Sequence, residues 1–115
     1  MERKIRAYKG YFMEFLNSLT DQQAKKVFYV IDMLKTQDRL SEKFVKHIEE
    51  GIYELRVEHA GNIFRVFFIF DEDNIVLLFN GFQKKSQKTP RKEIETAKKL
   101  KTEYFNEKGK QHSGH

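Results

Sequence analysis

Residues 52–79 hold three strand-like segments joined by two short polar turns, and this feature constrains the fold more than any other. The turns are His59–Asn62 and Asp71–Asn74, and neither is long enough for the crossover that parallel pairing requires. The strands are predicted at residues 52–58, 63–70 and 75–79. We therefore expect consecutive strands to pair as a three-stranded antiparallel meander.

Helical periodicity precedes the meander. Apolar residues recur at helical spacing over residues 11–19 and 24–34, and Thr20 with Gln23 gives the capping-box pattern before the second run. Because the join between the two runs is short, a helical hairpin is predicted. Residues 3–8, which are short and charged, favour an edge strand before the hairpin.

The remaining signals predict two further helices and a tail. Ser41 can cap a short third helix that Gly51 would end. Thr89-Pro90 predicts the start of a C-terminal helix, because threonine caps well and proline fits the first helical turn. Since no periodicity follows Asn106, we expect a single domain over residues 1–105 and a disordered basic tail over residues 106–115.

These elements together predict the fold class. It is α+β, with an antiparallel sheet made of the three-stranded meander and the short N-terminal edge strand. The helical hairpin and the C-terminal helix should pack on this sheet, because each has one apolar stripe to bury.

Length and composition agree with a small protein of the cytoplasm. A chain of 115 residues suffices for one domain with its own core, and the lack of cysteine excludes disulfides and thiolate metal sites. No apolar run approaches the length of a membrane span, and the first four residues lead into no signal core. The net charge of +5 favours an anionic partner.

The positive charge is concentrated after the last strand. From residue 84 to residue 101, eight basic residues accompany two acidic ones, an excess of six. The basic residues are Lys84, Lys85, Lys88, Arg91, Lys92, Lys98, Lys99 and Lys101. A strand end followed by a helix N-terminus suits an anion, because the free N–H groups and the positive end of the helix dipole point outward. The alternative is an ordinary solvated loop rich in lysine.

Arg65 lies in the middle of an otherwise apolar strand, where a guanidinium must be paired or lie at an open edge or cleft. In one interpretation it pairs with Glu54 or Glu58 on the neighbouring strand and is structural. In the other, it joins Arg56 and the lysines after Phe82 in one cationic cluster on a single sheet face.

Such a cluster suits a phosphodiester. Cleavage of RNA by its own 2′-hydroxyl needs a base for that proton, cations for the phosphoryl oxygens and an acid for the leaving 5′-oxygen. Arginine binds phosphate in a bidentate manner, and a lysine crowded by other cations can act as base or acid. The sequence has no metal-ligand spacing and no phosphate-binding glycine loop, so we expect neither a metal nor a cofactor.

Three motifs, taken in order, give a family resemblance. They are YELRV at residues 53–57, FRVFF at residues 64–68, and GFQKKSQKTP at residues 81–90, which is followed by Glu93-Ile94 and Ala97. Together these motifs resemble the RelE/HigB toxin superfamily, in particular its phage-derived, HigB-like branch.

The resemblance implies a bacterial type II toxin: an mRNA endoribonuclease, often active on the ribosome, that a helix-turn-helix antitoxin neutralises. It also implies a compact α+β domain. By position, Arg65 corresponds to the superfamily's strand arginine at the scissile phosphate, and Arg56 to a basic residue of the preceding strand. Lys84, Lys85 and Lys88 correspond to the basic segment that leaves the last strand, where the superfamily places further phosphate-binding and acid/base groups. Further RNA contacts are expected from Lys88, Arg91, Lys92, Tyr53 and His59.

The sequence departs from the superfamily in two places. The better-known branch has a catalytic tyrosine near its C-terminus, whereas this chain offers Tyr104, far along the last helix. Glu54 stands where that branch tends to be basic. The general base is therefore unassigned, and its candidates are Lys84, Lys85, His59 and Tyr53. A histidine in a turn favours the alternative interpretation of His59 as a solvated loop residue.

Two other functions stay open. The chain can be a catalytically inactive RelE-like module that binds RNA or protein, or its basic face can serve to dock an acidic antitoxin tail. An Arg65→Ala variant separates these hypotheses, because an enzyme should lose growth arrest and mRNA cleavage and still bind its antitoxin.

Overall fold

The computed structural model describes residues 2–72, 74–86 and 88–113, with side chains described up to residue 109. Within these residues, five strands and three helices follow one another. They are β1 (Lys4–Ala7), α1 (Tyr11–Asn17), α2 (Asp21–Thr36), β2 (Val45–Glu49), β3 (Ile52–His59), β4 (Asn62–Asp71), β5 (Ile75–Lys84) and α3 (Arg91–Ser113). None of the helices, over these described residues, combines the length and apolar character that crossing a membrane requires.

The strands form one mixed sheet in the order β1-β5-β4-β3-β2. The three central strands pair antiparallel as the predicted meander, and β1 lies at one edge, parallel to β5. The parallel pairing is possible because no short turn joins β1 to β5. After β1, helices α1 and α2 lead the chain to β2, at the opposite edge of the sheet. The predicted α+β class and N-terminal edge strand are therefore confirmed, whereas the expected antiparallel pairing of that edge strand is wrong, because β1 runs parallel to β5.

The predicted third helix is wrong. Its residues form β2, which pairs antiparallel with β3 and makes the second edge of the sheet. Glu50 and Gly51 both have positive φ angles, of 52° and 75°, so the glycine that suggested a helix end is instead the second residue of a tight hairpin turn. Val45 lies opposite Leu55 and packs, partly buried, against the core, and this pairing outweighs the weak local preference for helix.

The predicted disorder from Asn106 is also wrong for residues 106–113, because α3 continues to Ser113. Lys108 donates to both carboxylate oxygens of Asp71 at 3.0 and 2.9 Å, and Tyr104 also donates to this carboxylate. Asp71 is buried at the end of β4, so these contacts fix the second half of the helix to the sheet. Residues 114 and 115 lie outside the described residues.

The core has two layers, one on each face of the sheet. Helices α1 and α2 cover the face that carries Leu55, Val66 and Leu78. Helix α3 covers the face that carries Phe67 and Phe79, through Ile94, Ala97 and Leu100. As predicted, α2 starts at a capping box: Gln23 N–H donates to the Thr20 hydroxyl at 3.2 Å, and Thr20 N–H donates to the Gln23 side chain at 3.0 Å.

A β-bulge in β5 changes which residues reach each face. Phe68 of β4 lies opposite Leu78, whereas Val66 lies opposite Gly81, so β5 has one extra residue between these pairs. Before the bulge, odd-numbered residues of β5 face α3, and after it the even-numbered residues do. Gly81 then lies against the ring of Phe15, where a Cβ atom would come within 2.5 Å of the ring.

Candidate functional site

Three residues form a row across the sheet, on the face that α3 covers. Arg56 on β3 is directly opposite Arg65 on β4, and Arg65 is directly opposite Phe82 on β5. The ring of Phe82 lies 5.5 Å from that of Phe67, which belongs to the core beneath α3. Because strand side chains alternate, Arg65 shares the face of Phe67, two residues further along β4. The strand register therefore places Arg56 and Arg65 on one sheet face, as the sequence predicted.

Glu54 also lies on this face and pairs with both arginines. One of its carboxylate oxygens is 3.2 Å from Nε of Arg56 and 3.5 Å from Nε of Arg65. Glu54 and Arg65 are 2% and 4% exposed, so they form a buried ion pair. The structural interpretation of Arg65, in which it pairs with a glutamate of the neighbouring strand, thus describes one of its contacts.

The hydrogen bonding of this group is incomplete. Arg65 donates to the carbonyl oxygen of Phe64 at 3.1 Å, and Arg56 donates to that of Glu42 at 3.1 Å. Among the described residues, the Nε atoms of both arginines and the second carboxylate oxygen of Glu54 find no hydrogen-bond partner. Buried polar atoms without partners are rare and costly, and a bound ligand, ion or water is one of the explanations for them.

Burial and a like charge act together on Arg65. Burial lowers the pKa of its guanidinium, Glu54 opposes this effect, and the nearby Arg56 lowers the pKa further. An arginine nevertheless stays protonated at neutral pH. The site therefore holds two adjacent positive charges in a partly desolvated setting, balanced by one carboxylate.

The bulge in β5 brings Lys84 to the same face. Lys84 is opposite Ile63, one row beyond Arg65 and Phe82, and it is partly exposed. Together with Lys85 and Ser86 it lines an open cleft of about 440 Å³. Lys85 and Lys88 are exposed and lie beyond the end of the strand. Of the lysines in this segment, Lys84 is thus the one that the strand itself fixes relative to the arginines.

Arg91 and Lys92 lie in the first turn of α3 and are exposed. Arg91 is held by two glutamates, with Nη1 at 2.5 Å from Glu49 and Nη2 at 2.9 Å from Glu95. Hydrogen bonds from Arg91 and then from Lys98 lower the pKa of Glu49 to about 2. Arg91 therefore joins the start of α3 to the β2–β3 hairpin, and its charge is largely neutralised.

Tyr53 and His59 are not part of the cluster. Tyr53 packs on the core beneath α1 and α2, with its ring stacked 5.7 Å from that of Phe68. His59 is an even number of residues from Tyr53 along β3, so it lies on the same sheet face as Tyr53. It is at the end of the strand, opposite Asn62. Both residues were predicted to contact RNA and to be candidate bases, and the structure places them on the opposite face from Arg65.

Lys46 was not predicted as part of the site, because its segment was predicted to be helical. It is directly opposite Glu54 on β2, so it extends the charged surface to the edge of the sheet. No period-2 alternation marks this strand, because Lys46 and His47 are consecutive polar residues, so the local sequence offered no signal for it. Tyr104 does not replace the absent tyrosine, because its partner Asp71 lies six residues from Arg65 along β4, about 20 Å away.

An open cleft borders each end of the row. The cleft at the Phe82 end has a volume of about 440 Å³ and lies between α1, β5 and the start of α3. The cleft at the Arg56 end has a volume of about 300 Å³ and lies between α2, the segment before β2 and the end of β3.

Within the described part of the chain, no three His, Asp or Glu side chains are placed to hold a metal ion.

Comparison with known proteins gives a matching family and solved structures of similar fold, two of which are described below. Residues 14–102 match the family described as "Phage derived protein Gp49-like (DUF891)". The archaeal RelE–RelB complex from Pyrococcus horikoshii OT3 contains a chain with 16% identity and a TM-score of 0.53, over 77% of this chain and all of that one. A double mutant of the E. coli toxin RelE in the free state has 11% identity and a TM-score of 0.53, over 70% and 82% of the two chains. Among curated proteins, none matches.

Proposed function

Because the chain belongs to the phage-derived Gp49-like family and has the fold of the RelE toxins, we propose that it is the toxin of a type II toxin–antitoxin system. In this proposal it is an endoribonuclease that cleaves mRNA in the cytoplasm, on the ribosome, and so inhibits translation. Its protein partner is an antitoxin with a helix-turn-helix domain.

The observation that carries the proposal is the convergence of three cations from three strands. Arg56, Arg65 and Lys84 come from β3, β4 and β5 and share one sheet face by register. Adjacent strands are about 4.8 Å apart, so these groups span the width of a phosphodiester and its neighbours. Positioning by strands rather than by loops keeps such charges fixed, which is what stabilisation of a transition state requires.

In this proposal the RNA is cleaved by a single displacement at the phosphorus atom. The 2′-hydroxyl loses its proton to a base and attacks phosphorus, the bond from phosphorus to the 5′-oxygen breaks, and that oxygen takes a proton from an acid. The products are a 2′,3′-cyclic phosphate and a free 5′-hydroxyl. Arg56 and Lys84, which are partly exposed, contact the phosphoryl oxygens. Arg65 adds positive potential from beneath, where the low dielectric strengthens it.

Three groups diagonal to Arg65 are able to transfer the protons: Glu54, Glu58 and Lys84. We assign the acid to Lys84, because it is cationic and lies at the open end of β5 beside a cleft. Glu54 is the proposed base, because its second carboxylate oxygen is without a partner among the described residues. A phosphate that draws Arg56 toward itself would free this carboxylate further.

A specific observation favours the second candidate function, a binding module without catalysis. Glu54 already neutralises part of the charge of both arginines and is buried with Arg65. If these contacts persist when RNA binds, the site would hold RNA weakly and lack a free base. The solvated alternative for the lysine-rich loop stays consistent with the exposure of Lys85 and Lys88.

Induced expression in a bacterial host tests the proposal. The unsubstituted chain should arrest growth, and co-expression of the antitoxin encoded beside it should relieve the arrest. Arg56→Gln and Lys84→Gln should each abolish arrest and retain antitoxin binding, since loss of one charge-stabilising group lowers rates about 10²- to 10³-fold. Lys99→Gln, an exposed lysine of α3, is the control and should still arrest growth. Absence of arrest by the unsubstituted chain favours the binding module.

A further inference from the structure

The cleft at the Arg56 end of the row combines positive charges with aromatic rings. Its walls come from α2, from the segment before β2 and from the end of β3. They include Lys26, Tyr29, Val30, Lys43, Phe44 and Arg56, and Glu58 also contributes. Three cations against one carboxylate make it a net positive cleft, and its volume of about 300 Å³ matches the lower end of small-ligand sites.

The rings lie directly beside the cations. Nζ of Lys26 is 5.2 Å from the centroid of the Tyr29 ring, and Nζ of Lys43 is 5.5 Å from that of Phe44. Tyr29 is 59% exposed, although a tyrosine ring gains by burial. An exposed ring beside a flexible ammonium group, in a positively charged cleft, is the arrangement by which proteins hold single-stranded nucleic acid, with bases on rings and phosphates on lysines.

The cleft is continuous with the proposed cleavage site, because Arg56 belongs to both. Arg56 lies directly opposite Arg65 in the row and also lines the cleft. A strand whose scissile phosphate lies at Arg56 and Arg65 therefore has its adjacent nucleotide at the edge of the sheet, beside Tyr29. Its path would run over the end of β3 toward α2.

We infer that this cleft is a nucleotide subsite, in which Tyr29 stacks on a base next to the scissile phosphate and Lys26 and Lys43 bind the adjoining phosphates. The inference deepens the proposed function and rests on it for the identity of the ligand as RNA. The base displaces Lys26 from the Tyr29 ring, and the ammonium group then becomes available to a phosphate. Stacking requires no particular base, so the subsite adds affinity with little sequence preference.

An acidic peptide is a weaker fit to the same surface. Carboxylates would pair with the cations but would leave the exposed Tyr29 ring without a planar partner. A nucleotide supplies an anion and a planar ring in one residue, and the cleft offers partners for both.

Binding of a single-stranded RNA oligonucleotide with methylated 2′-hydroxyls tests the inference, because such RNA cannot be cleaved through that group. Tyr29→Ala should weaken binding about 5- to 100-fold, whereas Tyr29→Phe should restore it. Phe28→Ala is a matched control, since Phe28 is the preceding residue of α2, is 52% exposed and does not line the cleft. Lys26→Gln should lower the slope of log affinity against log salt by about 0.7, and Lys25→Gln should not.

The outcomes distinguish this subsite from the proposed function. RNA binding that depends on Tyr29, in a chain that does not cleave mRNA, supports the subsite and overturns the nuclease. mRNA cleavage with unchanged RNA binding by Tyr29→Ala supports the nuclease and overturns the subsite. Loss of antitoxin binding without loss of RNA binding in the Tyr29 and Lys26 variants would identify a protein-docking surface and also overturn the subsite.

Discussion

Arg56 and Arg65 lie directly opposite one another on adjacent antiparallel strands, and the carboxylate of Glu54 is within 3.5 Å of both. Like charges in this position destabilise a sheet unless a counter-ion or a ligand compensates them. Glu54 supplies part of that compensation in the free protein. A bound phosphate would supply the rest, which links the stability of the site to its proposed ligand.

The buried pair of Glu54 and Arg65 gives the first prediction. Arg65→Leu should lower the free energy of unfolding by about 3–5 kcal/mol, because it removes one partner of a buried ion pair and leaves a carboxylate with reduced compensation. The double variant Glu54→Leu with Arg65→Leu should recover most of this loss, since neither buried charge remains. Urea unfolding of the two variants measures both values. Equal stability of Arg65→Leu and the unsubstituted chain would show that the pair is not buried as described.

Gly81 gives the second prediction. Gly81→Ala should lower the free energy of unfolding by about 1–3 kcal/mol, because the added methyl group would lie 2.5 Å from the buried ring of Phe15. Gly109→Ala in α3 is the matched control of opposite sign, because a Cβ at Gly109 meets no atom within 4 Å in the described structure. It should stabilise the protein by about 0.5–1 kcal/mol. Thermal unfolding measures the change in Tm of each variant. Changes of the same sign in the two variants would contradict the close packing at Gly81.

The low pKa of Glu49 gives the third prediction, which concerns how the stability of the protein depends on pH. Its pKa is about 2 in the folded protein and about 4.3 in an unfolded chain, so the folded protein binds its proton less readily. Its contribution to stability is therefore complete above about pH 4.3 and disappears as the pH falls toward about 2. Glu49→Gln should show a smaller fall in Tm across this window, and so should Arg91→Gln, which removes the main donor. Unchanged acid profiles in both variants would contradict the ion pairs of Glu49.

The second half of α3 gives the fourth prediction. Lys108→Met should lower the free energy of unfolding by about 1–3 kcal/mol, because it deprives the buried carboxylate of Asp71 of its charged donor. Lys99→Met, which removes an exposed lysine from the same helix, should change stability by less than about 0.5 kcal/mol. Equal effects in urea unfolding would indicate that residues beyond Asn106 are not fixed to the sheet.

The sequence predicted the elements that strong local patterns specify. The meander, the hairpin of α1 and α2 and the start of α3 each carry periodic apolar residues or a cap, and all three are confirmed. Strand β2 was mistaken for a helix because Ser41 and Gly51 give good helix-end signals, whereas strand pairing with β3 is a tertiary effect. The end of α3 was missed because its anchors, Tyr104 and Lys108, bind a distant carboxylate and leave no apolar period.

The site was predictable in part. Alternation along β3 and β4 was enough to predict that Arg56 and Arg65 share a face. The position of Lys84 depends on the extra residue in β5, which no local pattern indicates, and without that bulge Lys84 would face α1 and α2. Tyr53 was predicted as a candidate base and RNA contact, although its alternation with Leu55 and Val57 predicts a core residue. The roles of Arg65, Lys84, Lys85 and Arg56 in cleavage stay a prediction.

Mapping of mRNA 5′-ends after induced expression is the measurement that tests the shared phosphate site most directly. The unsubstituted chain should create new 5′-hydroxyl ends within coding regions, and the double variant Arg56→Gln with Lys84→Gln should create none while still binding the antitoxin. New ends at equal frequency in that double variant would contradict a phosphodiester held between β3 and β5.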